Sequence, residues 1–128
     1  RVMIRNAMWR RVQLVARDDL DGLAALEQAD AERYDVPRDV VMTRKAWDAA
    51  IEDYYAEHRV VGTDADARGP EHLMIERGAI EGGRRWSVRQ TLADPAGHHD
   101  WVIEAEVDVD ASDDLGELVL TTTAMRRL

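Results

Sequence analysis

A single change of hydrophobic period divides this chain. Up to about residue 58 the apolar residues recur at three- and four-residue spacing, whereas from Leu73 onward they recur at every second position. A segment patterned at 3.6 cannot lie in a sheet without turning part of its apolar set to water, so helices are expected first and strands after. That order gives an α+β fold, with the helices on one face of an antiparallel meander. With 128 residues, residues 1–128 are expected to form a single domain around one core.

The first helix is expected from Val2 to about Asp18. Ile4, Ala7, Met8, Val12 and Val15 share one stripe, Trp9, Leu14 and Met3 lie outside it, and only Asn6, Arg10, Gln13 and Arg17 make a narrow polar edge. A helix apolar over most of its circumference belongs in the middle of a structure. Arg11 falls inside the stripe and Arg5 at its border, and a guanidinium there requires a carboxylate or carbonyl partner. A second helical piece runs from Leu20 to about Asp30, with Gly22 as a weak point, and the segment through Val36-Pro37 reads as a connection. Thr43 can cap a third helix that carries Trp47, Ala50, Ile51, Tyr54, Tyr55 and His58 on one face. On the other face Arg44 and Asp48 are spaced to pair, and Gly62 is a plausible stop.

Beyond the loop from Gly62 to Pro70, Leu73 and Ile75 suggest a strand, and Gly78, Gly82 and Gly83 mark a reversal. Trp86, Val88, Gln90 and Leu92 alternate with Ser87, Arg89 and Thr91. Trp101, Ile103, Ala105, Val107 and Val109 alternate with Glu104, Glu106 and Asp108. A symmetric hairpin across residues 93–100 sets Leu92 opposite Trp101, Val88 opposite Ala105, and Arg89 opposite Glu104 on a wet face. The last strand is expected from Glu117 to about Thr123.

Net charge of −9 works against broad attachment to phosphate backbones or anionic lipid. The absence of cysteine removes disulfides and thiolate metal sites, and makes a cytoplasmic setting natural. No apolar run is long enough for a membrane span, so no membrane partner is expected. The chain contains no phosphate-binding G-x-x-x-x-G-K-[ST] loop. A calcium loop counted from Asp108 would need glycine where Asp113 stands and glutamate where Val119 stands. Counted from Asp64, it would place Arg68 as a ligand. Both frames fail, so Asp108 to Asp114 read as an acidic turn before the last strand.

His98, His99 and Asp100 form the sharpest local cluster. Adjacent histidines rarely converge on one ion, so no metal is assigned and polar loop histidines are the simpler reading. With Asp53, Tyr54, Tyr55 and His58 on the third helix, and with Trp47, Trp86 and Trp101, they could line a pocket of dehydratase or isomerase type; otherwise the tryptophans anchor the core. Arg1, Arg5, Arg10 and Arg17 concentrate positive charge on the first helix, as a solvated face, a docking surface or a nucleic-acid patch.

Four segments together resemble a known family: RVMIRNAMWRRVQLVAR at 1–17, GTDADARGP at 62–70, WSVRQTLADPAGHHDW at 86–101 and EVDVDASDDLGE at 106–117. They resemble the domain of unknown function at the C-terminus of certain bacterial DEAD/DEAH-box helicases, departing from its pattern at His98-His99 and Val102-Ile103. The resemblance implies a non-catalytic accessory domain excised from a longer ATP-dependent helicase-like protein. It would hold no cofactor of its own, would have the rest of the parent chain as partner, and would meet RNA or DNA through that parent. The order of elements also resembles, more weakly, the nuclear-transport-factor-2-like cone, in which a curved antiparallel sheet wraps the first helix.

Overall fold

The structure, a computed structural model, describes residues 2–34 and 36–128. These form four α-helices and a five-stranded antiparallel sheet: α1 (Val2–Ala16), α2 (Leu20–Ala31), α3 (Arg44–Glu57), β1 (Leu73–Glu76), β2 (Ala79–Ile80), β3 (Gly83–Thr91), β4 (Trp101–Asp108), α4 (Val109–Leu115) and β5 (Leu120–Arg127). The fold is α+β, as the change of period requires. None of the described helices is long and apolar enough to cross a membrane.

The sheet runs β1-β3-β4-β5, with β2 pairing the start of β3. The hairpin register is the expected one: Val88 faces Ala105, Arg89 faces Glu104, and the Leu92 N–H donates to the Trp101 carbonyl at 2.9 Å. On the outer face Glu104 accepts from Arg89 at 3.2 Å and also pairs with Arg126. Burial of the Glu104 carboxyl is outweighed by these guanidinium bonds, Arg126 foremost, and its pKa is lowered.

The three long helices lie over the other face, made by Trp101, Ile103, Ala105 and Val107. A bulge in the β4–β5 pairing, between Glu104–Ala124 and Ala105–Thr122, brings Thr122 onto this face beside Ala105. There Arg11 meets its partners. Its Nε donates to Thr122 Oγ1 at 2.6 Å and to Glu27 Oε1 at 3.1 Å, Nη1 donates to the Ala7 carbonyl at 3.0 Å, and Nη2 pairs with Asp30. Thr122 in turn donates to Glu27 at 2.6 Å. Arg11 is 1% exposed, so this is an ionic centre inside the core, joining α1, α2 and β5. Trp9 and Leu14 are buried along with the expected stripe, while Met3 is exposed.

The helix ends follow their side chains. Asp19 caps α2 by accepting from the Gly22 N–H at 2.8 Å, and a Cβ at Gly22 would meet that carboxylate at 2.7 Å. The residue that weakens the helix interior is thus the one that fits its cap. Thr43 caps α3 through Ala46, as expected.

Five expectations are corrected. Arg44 pairs across to Asp21 at 3.1 Å rather than along its own helix to Asp48. The third helix ends at Glu57, and Gly62 instead allows a close approach, its N–H donating to the Ala93 carbonyl at 2.8 Å. Val109 begins a helix instead of ending a strand: the Asp108 side chain accepts from Ala111 N–H at 3.0 Å, and Gly116, at φ 74°, closes α4. The acidic stretch is therefore this short helix, not a turn, and β5 starts at Leu120 because residues 109–115 are helical.

Replacing Arg11 by Met should cost about 3–5 kcal/mol at pH 7, read from urea unfolding, because Glu27 stays buried without its cation and Asp30 keeps only Arg33. Burial raises the Glu27 pKa, with Arg11 and Thr122 opposing it. A carboxyl with a raised folded pKa favours the folded state below its unfolded value near ~4.3 and loses that advantage as pH rises through the folded value. The penalty of the variant should therefore shrink as the pH is lowered towards 5.

Candidate functional site

The four histidines of the chain gather at one end of the hairpin. The last turn of α3 presents Tyr54 and Glu57, and His58 follows as its C-cap, its N–H donating to the Tyr54 carbonyl at 2.9 Å. The loop joining β3 to β4 is folded by Asp94, whose two carboxylate oxygens accept from the backbone N–H groups of His98 (3.0 Å) and His99 (2.8 Å). Gly97 and His99 take positive φ, 72° and 52°. The turn sends the adjacent histidines apart: His98 lies edge-on to His58, with ring centres at 5.9 Å, and His99 lies over His72 at 5.1 Å.

Asp94 is buried and sits 3.9 Å from Nδ1 of His58, too far for a hydrogen bond. Burial opposes its charge, but the two backbone donors and the His58 imidazole more than offset that, and its pKa is lowered. At the start of β4, Trp101 Nε1 donates to Glu57 at 2.8 Å, and Arg127 reaches both Glu57 (2.9 Å) and Asp100 Oδ2 (3.2 Å). The other oxygen of Asp100, Oδ1, is buried and has no hydrogen-bond partner among the described residues.

Of the sequence-derived pocket residues, Tyr54, His58, Asp100 and Trp101 come together, with the Tyr54 ring 5.2 Å from His58 and 5.5 Å from Trp101. His99 points away from them. Trp86 lies at the far end of the hairpin, opposite Val107 and beside Arg77. Asp53 is exposed, and Tyr55 donates to the Val15 carbonyl at 3.1 Å. Trp47 and Tyr54 are wholly buried and Trp101 nearly so. The aromatic group fills its own space; the nearby grooves lie at the surface, and the more enclosed cavity, of about 180 Å³, lies elsewhere, beside Glu27, Asp30 and Asp108. Tyr54 donates to the Val60 carbonyl at 2.6 Å. Burial, then the Asp94 carboxylate, push its phenol up, so it acts as a structural donor and not as an acid or base near neutrality. Of the arginine patch, Arg5 and Arg10 are exposed on α1 and Arg17 is exposed just past its end, while Arg1 lies outside the described residues. The pairing of His58 with His98 was not legible: forty residues separate them, and only the Asp94-folded turn selects His98 over His99.

Fold and site define an α+β domain with a closed, ion-centred core and a polar histidine-lined end. Residues 1–125 match the family model described as domain of unknown function DUF3516, and the chain belongs to that family. No curated protein and no solved structure matches it.

Asp94→Asn should lower stability by roughly 1–3 kcal/mol at pH 7, since a buried carboxylate that accepts from two part-buried backbone donors loses one acceptor. A carboxylate with a depressed folded pKa stabilises above its unfolded value near ~3.9 and loses that as pH falls through the folded value. The gap between wild type and variant, followed by circular dichroism during acid titration, should close below pH ~3.9.

Proposed function

We propose that this domain is a non-catalytic docking module, accessory to an ATP-dependent DEAD/DEAH-box helicase-like motor in the same parent chain. The helicase context rests on the resemblance carried by residues 1–17, 62–70, 86–101 and 106–117. The observation that carries the docking role is the division of labour along α1. Most of its apolar circumference is buried, while Arg5 and Arg10, with Arg17 just past its end, face outward with no carboxylate partner among the described residues. Arg10 and Arg17 stand seven residues apart on one edge, and Arg17 lines a surface groove with Arg59, Tyr55 and Gln13. Val2 and Met3 add exposed apolar surface at the start of the helix.

In a chain of net charge −9, such an edge suits an acidic face of the motor or a nucleic-acid strand held by it. The packed state of Trp47, Tyr54 and Trp101 weighs against the small-ligand alternative, because no enclosed space remains between them for a substrate.

In the parent protein, the R5E/R10E/R17E variant should reduce association of the domain with the motor, or strand unwinding, at least tenfold while ATP affinity stays unchanged. The wild-type association should weaken with added salt, as exposed charges are screened. Unchanged association and unwinding in the triple variant would overturn the proposal.

A further inference from the structure

The cluster at the end of α3 has a use that docking does not absorb. We infer that His58, His98 and Asp100 bind one divalent transition-metal ion of the zinc class. Each of the three residues offers a ligand atom, and these atoms all lie within 4.8 Å of one another. Two imidazoles and one carboxylate are a ligand set for borderline metals such as Zn²⁺. Ca²⁺ and Mg²⁺ select all-oxygen sites and are not expected here.

Three further features make the cluster more than a coincidence of surface groups. Oδ1 of Asp100 is buried without a hydrogen-bond donor, a position that a cation would satisfy, while Oδ2 is already engaged by Arg127. Asp94 faces the Nδ1 side of His58, and it also holds the loop that carries His98; it thus stands where an outer carboxylate orients a metal-binding imidazole. The left-handed turn at His99 puts His98 and Asp100 towards His58 and excludes His99, which rests on His72.

With metal–ligand bonds of ~2.0–2.1 Å, ligand atoms in a tetrahedral site are ~3.3 Å apart. Closure therefore asks for at most about 1.5 Å of movement, which the exposed His98 side chain can supply by rotating. Three protein ligands leave a fourth position for water or for a carboxylate of a partner. Bound metal would tie the β3–β4 loop to the end of α3, two segments now joined by ring contacts and the long Asp94–His58 approach.

The test is titration of the tag-free chain with Zn²⁺ by calorimetry, and with Co²⁺ followed by visible absorption. The expected result is one equivalent of ion, a cobalt spectrum of four-coordinate nitrogen and oxygen ligands, and a higher thermal midpoint. Affinity should fall in acid, since protons compete with the metal for both imidazoles. His98→Ala should weaken binding at least tenfold. That position is exposed, so the variant should fold. His72→Gln, altering a histidine outside the cluster, should leave the affinity as it was. Absence of saturable one-to-one binding, unchanged affinity in His98→Ala, or equal losses in the two variants would each overturn the assignment.

Discussion

The buried guanidinium of Arg11 is the constraint on which the remaining arrangement depends. A charge at 1% exposure is tolerated only if every donor it carries is answered, and here two carboxylates, a hydroxyl and a carbonyl answer it. Those partners come from α1 itself, from α2 and from β5, so the centre specifies which helix lies against which strand. Apolar packing of Leu, Val and Trp residues is far less particular about relative position, because hydrophobic burial has no direction. The β-bulge opposite Glu104 and Ala105 belongs to the same requirement: it aligns Thr122 with the inner face while Arg126 stays outside on Glu104.

Much of this was readable in the residues, and for identifiable reasons. The change of period located the helices and strands, the placement of Arg11 inside an apolar stripe demanded a carboxylate or carbonyl partner, and the spacing around residues 93–100 set the hairpin register. Local patterns of this kind survive folding because they are themselves the cause of the structure. The stretch from Asp108 to Asp114 was misjudged, since aspartate favours both turns and helix starts. An acidic cap at Asp108 with Gly116 eight residues later is the signature that separates the two. The partner of Arg44 could not be read, because pairing with Asp21 depends on how two helices are set against each other.

The candidate site shows the same division. That Tyr54, His58 and Trp101 share one end of the molecule follows from the helix face and the strand period. The selection of His98 over His99 rests on one residue with φ of 52° and on two backbone bonds to Asp94, and no periodic signal encodes these. Trp47, Tyr54 and Trp101 are packed inside the core at this end rather than lining an open space.

The distance in sequence between Arg11 and Thr122, 111 positions, bears on how the molecule comes to be folded. Contacts that close so long a loop form late, since chain entropy must be overcome before they stabilise anything. During synthesis α1 and α2 can pair, but their ionic centre lacks its hydroxyl until residue 122 has left the ribosome. A chain shortened before β5 would keep the arginine, both carboxylates and no lid over them. The last strand thus supplies the hydroxyl that joins Arg11 to Glu27 inside the core.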